Sequence, residues 1–168
     1  VEDNIALFAV YLAHGITTIR DAASDLGEQV LTFRAEINEG KRMGPTIYTA
    51  GKKLEGLNSI WKGDLEISNE AELKQMLDKI DEYQVDFVKI TENTLEGPLF
   101  LKSVMEAKKR GYLVSGHVPI DLPIADLANI GFSSIEHASY LLRLGSDEHA
   151  MVKELLAGKI SKAQPDTL

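Results

Sequence analysis

The sequence predicts an α/β fold built on a parallel sheet, and three observations lead there. Short β-branched or apolar runs alternate with amphipathic stretches along most of the chain. Glycine or proline marks most of the junctions between them. Polar residues sit at the ends of three successive apolar runs. Strict alternation of strand and helix calls for parallel pairing through right-handed crossovers.

The elements follow in order. From Glu2 to His14 the apolar residues Ile5, Leu7, Phe8, Tyr11 and Leu12 give helical spacing, and Gly15 offers a left-handed stop. Ile16 to Arg20 is a short β-branched strand. Gly27 to Glu39 reads as a helix, Gly44-Pro45 as a turn, and Thr46 to Ala50 as the next strand. Residues 52–68, with Gly56, Asn58, Gly63 and the single Trp61, lack periodicity and read as a long loop. Ser68 or Asn69 caps a helix that runs to about Tyr83 and carries Leu73, Met76, Leu77 and Ile80 on one face. Val85 to Ile90 is a strand. Pro98 opens a helix that ends at Gly111. Tyr112 to Gly116 is a strand, 121–129 a helix, and Phe132 to Ile135 the last clear strand. Residues 146–157 read as a final helix, and 158–168 as a frayed tail. The whole is one expected domain of the form α(βα)5.

Composition narrows the function. The 168 residues carry a net charge of −8, which disfavours nucleic acid and anionic membranes as partners. No apolar run reaches the roughly 20 residues of a membrane-spanning helix. The absence of cysteine removes disulfides, thiolate metal sites and cysteine nucleophiles. The compartment is left open, with the cytoplasm favoured. No phosphate-binding glycine loop and no GxSxG serine elbow is present.

Two architectures satisfy the alternation: an open doubly wound sheet, and part of a (β/α)8 barrel. A full barrel needs about 250 residues, so this length suits about five βα units. In both, chemistry gathers at the C-terminal ends of the strands. Lys89, His117 and His137 lie there on three successive strands. Side chains alternate along a strand, so Phe87 with Lys89, Ser115 with His117, and Ile135 with His137 are expected to share faces that point inward in a barrel. Val88 and Ile90 flank Lys89, which favours a desolvated amine with a perturbed pKa. Singly, each residue has an ordinary structural reading: a snorkelling lysine and hydrogen-bonded histidines. Together they suggest a metal site, since imidazole is a common ligand. Tyr140 is placed either to reach a substrate or to pack. His14 ends a helix, where a cation suits the dipole, and His149 falls in a polar, solvated helix. Asp21 reads as a turn or helix cap and Arg20 as a structural ion-pair partner.

The segments GITTIRDA, GPTIYTAG, VDFVKI, VSGHVP and GFSSIEHASYL, taken in order, resemble the second to sixth strands of the amidohydrolase superfamily. The likeness is strongest to its imidazolonepropionase-like and prolidase-like branch. The resemblance implies a partial (β/α)8 TIM-type barrel, strands 2–6 of the parent. It also implies hydrolysis of amide or peptide bonds in small substrates, dipeptide-like ones included. Lys89 would be carboxylated and bridge two divalent metals, zinc being the first choice, while His117 and His137 would bind the second. The family's His-x-His pair on the first strand and its water-orienting Asp on the eighth have no counterpart here, so no catalytic residue is identified. Such a chain should bind metal weakly. The partner is then a small-molecule substrate, with homo-oligomers left open. The alternative is a non-catalytic α/β fragment or binding module that self-associates through uncovered strand edges.

Overall fold

The computed structural model describes residues 4–24, 26–142 and 148–159. Helix α1 (Asn4–Ala13) leads into β1 (Thr18–Asp21), α2 (Gln29–Asn38) and β2 (Thr46–Thr49). Two further strands follow, β3 (Leu54–Gly56) and β4 (Leu65–Ile67), then α3 (Glu70–Tyr83) and β5 (Val88–Ile90). The remainder is α4 (Gly97–Lys109), β6 (Val114–Gly116), α5 (Ile124–Asn129), β7 (Ser134–Ile135), α6 (Ser139–Leu142) and α7 (Glu148–Leu156). The expected order holds, with one correction: residues 52–68 are not wholly loop but contain β3 and β4. Each has a glutamate at its centre, Leu-Glu-Gly and Leu-Glu-Ile, in place of the β-branched or apolar run that marks the other strands. The helix α6 was also not anticipated. The tail from 160 onward lies outside the described residues.

Among the described residues, all strand pairings are parallel. Strand β1 pairs with β2, and the second sheet runs β4-β3-β5-β6-β7. The Asp86 amide donates to the Thr49 carbonyl at 2.9 Å and ties the two sheets together. Steps β1–β2, β2–β5, β5–β6 and β6–β7 would set β1 and β7 about 19 Å apart in a flat sheet, at ~4.8 Å each. Yet Arg20 of β1 donates to Glu136, just past β7, at 2.8 Å. Arg and Glu side chains cannot bridge a flat array of that width, so the strands curve into an arc. This is part of a barrel and not a doubly wound sheet.

The helices cover the convex side of the arc. Val88 and Ile90, with no exposure, pack with Leu73, Leu77 and Ile80 of α3 and with Phe100 and Val104 of α4. Helix α3 is well specified at its start. The Asn69 side chain accepts from the Glu72 amide at 3.0 Å, while the Glu72 carboxylate accepts from the Ser68 amide at 2.7 Å. This is a reciprocal cap of the kind expected for such a sequence. A smaller cluster of Phe8, Val30, Phe33 and Ile47 seals α1 and α2 against β1 and β2. His14 accordingly closes α1, its Nδ1 lying 2.8 Å from the Val10 carbonyl oxygen.

Candidate active site

The C-terminal strand ends bring Lys89, His117 and His137 around one cleft of about 240 Å3, which Lys53, Trp61 and Glu136 also line. Lys89 is central in β5, in register with Ser115 of β6, and only 4% exposed. Burial pushes its ammonium down to about pKa 8, Glu136 opposes this, and Arg20 and Lys53 add to it. A larger share of the amine is therefore neutral near neutral pH than for an ordinary lysine.

His117 follows β6 directly. Its approach depends on Gly116, where an added Cβ would stand 1.9 Å from the Ile90 carbonyl oxygen. Only glycine lets β5 and β6 close up at the point where the chain delivers the imidazole. The His117 and His137 rings lie 5.0 Å apart between centroids. Tyr140 stacks on His117 at 5.6 Å and 25°.

His137 reaches the cleft by a route that strand alternation did not anticipate. Ile135 turns to the convex side and packs against the main core. Ser134 and Glu136 are the residues of this strand end that face Arg20. By alternation His137 would follow Ile135 away from the site. A left-handed backbone at His137, φ +65°, redirects the chain and brings its ring beside His117. Such a conformation is uncommon for a residue with a side chain, and histidine is among the types that adopt it most readily.

Three carboxylates organise this end of the arc. Glu136 accepts from Arg20 and from the Ser115 hydroxyl. Burial raises its pKa, but these two hydrogen bonds and the Lys89 charge outweigh that and hold it below the usual glutamate range. Glu92, just beyond β5, accepts from the Tyr140 hydroxyl at 2.8 Å and lies 3.0 Å from His117 Nδ1. Burial raises Glu92 too, and the His117 and Tyr140 contacts bring it below the ordinary value. Asp64, against Lys53 at 3.3 Å, is instead raised, because burial outweighs its Ser59 and Lys53 contacts. Lys53 also sits over the Trp61 ring at 5.1 Å.

The sequence reading named Lys89, His117, His137 and Tyr140, and all four come together here. Tyr140 both packs, on His117, and points its hydroxyl at Glu92. The reading missed Glu92, Glu136, Lys53 and Trp61 as members of the site. Their only local signals were the Glu136-His137 dipeptide and the polar stretch after Lys89. Asp21 and Arg20 take the structural roles expected of them. Asp21 accepts from the Ser24 amide at 3.2 Å and the Thr49 hydroxyl at 2.6 Å, and Arg20 pairs with Glu136. His149 falls in α7, but its side chain lies outside the described residues.

Among the described residues, no three His, Cys, Asp or Glu side chains group closely enough to hold a metal ion. The donors that do converge are two imidazoles and a buried lysine. A tetrahedral ion bound at 2.0–2.1 Å to one nitrogen of each ring would set the ring centres roughly 5 Å apart, as found. A lysine amine becomes an oxygen ligand only once carboxylated, which requires the neutral amine that burial favours here. The residues present are therefore of the types that could hold part of a metal centre.

The curved parallel sheet with polar groups at its C-terminal edge is part of a TIM-type (β/α) barrel. Solved structures with this fold include bottromycin amidohydrolase, with a TM-score of 0.65 at 20% identity over 76% of this chain and 28% of that one. Ochratoxinase of A. niger matches with a TM-score of 0.60 at 18% identity, over 95% of this chain and 47% of its own. A prolidase complexed with N-methylphosphonate-L-proline matches with a TM-score of 0.61 at 17% identity, over 79% and 40%. These neighbours are amidohydrolase-superfamily members, and at such identities the likeness establishes the fold. The chain spans less than half the length of each. No family model and no curated protein matches the sequence.

Proposed function

We propose that this chain is the central, ligand-bearing part of a metal-dependent hydrolase that cleaves amide or peptide bonds in small substrates. Lys89, His117 and His137 are its metal ligands. The observation that carries this reading is the buried Lys89 amine held beside two imidazoles at adjoining strand ends. Zinc suits this set of nitrogen and oxygen donors, though other divalent ions share the preference. A bound divalent ion would supply an acidified water and polarise a substrate carbonyl.

The chain's own residues have definable tasks. The surrounding core keeps water from Lys89 and so keeps its amine competent for carboxylation by carbon dioxide. Glu136 and Arg20 neutralise each other beside it and fix the ends of the arc. Trp61 also lines the cleft, together with Lys53, which pairs with Asp64, and its ring offers an apolar surface to a small substrate. A dipeptide or N-acyl amino acid meets that description, and the likeness to a prolidase fold points the same way.

Carboxylation supplies the test. Purified chain incubated with zinc and 13C-bicarbonate should show one carbamate signal by 13C NMR, absent from Lys89→Arg. A signal that survives in Lys89→Arg, or none in the wild type, removes Lys89 from the ligand set. In the whole protein, His117→Ala should abolish most amide hydrolysis; near-normal turnover would exclude His117.

A further inference from the structure

Glu55 is a charged residue with no exposure, on a three-residue strand that carries no part of the proposed chemistry. Its carboxylate is caged. It accepts from the Asn93 side chain at 2.8 Å and amide at 3.1 Å, from the Thr94 and Leu95 amides at 3.2 Å, and from its neighbour Gly56 at 2.9 Å. Gly56 belongs to the same device, since a Cβ there would lie 2.3 Å from the Thr94 backbone. The turn at 93–95 is thus pinned against β3, and the residue immediately before it is Glu92.

Glu92 is held through one oxygen and touches His117 with the other. One oxygen takes the Tyr140 hydroxyl. The other, Oε2, is buried and has no aligned hydrogen bond among the described residues, while His117 Nδ1 stands 3.0 Å away. A buried carboxylate oxygen left without a donor is costly, and His117 is the donor at hand. An ionised carboxylate only accepts, so a proton shared across this contact resides on Nδ1. The other ring nitrogen, Nε2, is then left with its lone pair. Stacking by Tyr140 restricts rotation of the ring from its face.

We propose that Glu92 is a positioning residue for His117. It fixes the Nδ1–H tautomer and the ring orientation, so that Nε2 is presented to the cleft as a ready ligand, with Tyr140 as the second clamp and the Glu55 cage as the foundation. This rests on the reading of His117 as a ligand, but the device exists in the metal-free chain and can be examined there. Carboxylates that hold the far nitrogen of a ligating imidazole have this effect in metal sites generally. An imidazole without such a partner favours its Nε2–H form, because the tautomer follows the hydrogen bond the ring makes.

The test is a long-range 1H–15N correlation spectrum of metal-free chain at a pH where His117 is neutral, for wild type, Glu92→Ala, Glu92→Gln and Tyr140→Phe. Wild type should show His117 as the Nδ1–H tautomer. Glu92→Ala should shift most of it to Nε2–H, with smaller shifts for the other two variants. Zinc affinity, titrated separately, should fall roughly 10- to 100-fold in Glu92→Ala. An Nε2–H tautomer in the wild type, or an unchanged tautomer in folded Glu92→Ala, overturns the proposal. Should Glu92→Ala fail to fold, the wild-type spectrum still decides. A Glu92-dependent tautomer in a chain that binds no zinc would sustain the positioning role while sinking the metal reading.

Discussion

The two faces of the same strands are built to different standards. On the convex face, Val88, Ile90 and Val114 have no exposure and are sealed beneath α3 and α4. On the concave face, Leu113 is 63% exposed and Tyr48 51%, although each neighbours a buried core residue in sequence. Towards the C-terminal edge the concave face becomes buried, at Lys89 and Ser115 beneath the Arg20–Glu136 pair and at Phe87, which the Arg20 guanidinium covers. Stability therefore resides on the outside of the arc. The proposed ligands sit at one end of its inside, and Leu113 and Tyr48 leave another part of that inside open.

Substitutions on the two faces should separate accordingly. The largest effect is expected from Phe100→Ala under α4, where loss of a fully buried ring costs about 3–5 kcal/mol, read from urea unfolding. Glu55→Ala should follow at about 2–3 kcal/mol for the amide donors left without an acceptor. It should also bring faster hydrogen exchange at 93–95, which a general loss of packing would not localise. Gly116→Ala should cost about 1–3 kcal/mol, because the β5–β6 approach has no room for a methyl group. At the small end, Leu113→Ser on the open face should change monomer stability by no more than about 0.5 kcal/mol. It should weaken any self-association seen by sedimentation, and a large loss of monomer stability would mean the concave face is already a packed core.

Lys89 gives the comparison a pH dependence. Its folded pKa of about 8 lies below the ordinary 10.5. Between those values the folded chain has released a proton that the unfolded chain still holds, so stability should rise with pH across that window. Below it, the buried charge is a constant cost. Lys89→Met should therefore be more stable than wild type at neutral pH in metal-free chain, with the advantage shrinking from about pH 8 upward. An equal gap at all pH values would mean the amine is not desolvated.

The elements that the sequence revealed are those with internal repetition or a local stop. Helix α3 has a reciprocal cap and a clean apolar stripe. Each of the five expected strands is a β-branched or apolar run bounded by Gly, Pro or polar residues. The three polar tips could be read because each follows an apolar run. Strands β3 and β4 could not, because Leu-Glu-Gly and Leu-Glu-Ile carry a central glutamate in place of a continuous β-branched or apolar run, and Glu55 looks like a surface residue until the turn at 93–95 folds onto it. His137 shows the limit of alternation: it reaches the site through a left-handed backbone angle that nothing in Ile135-Glu136-His137 announces. Glu92 and Glu136 act through partners that lie 25 and 116 residues away in the chain, His117 and Arg20, so only the folded arc identifies them.

The central claim is that this strand edge is a metal-ligand site, and calorimetric zinc titration of the purified chain tests it most directly. Wild-type chain should take up zinc weakly, in keeping with half a ligand set, and the double variant His117→Ala/His137→Ala should lose that uptake while remaining folded. Zinc uptake that is undiminished in the double variant, or no uptake by the wild type at any attainable concentration, would contradict it.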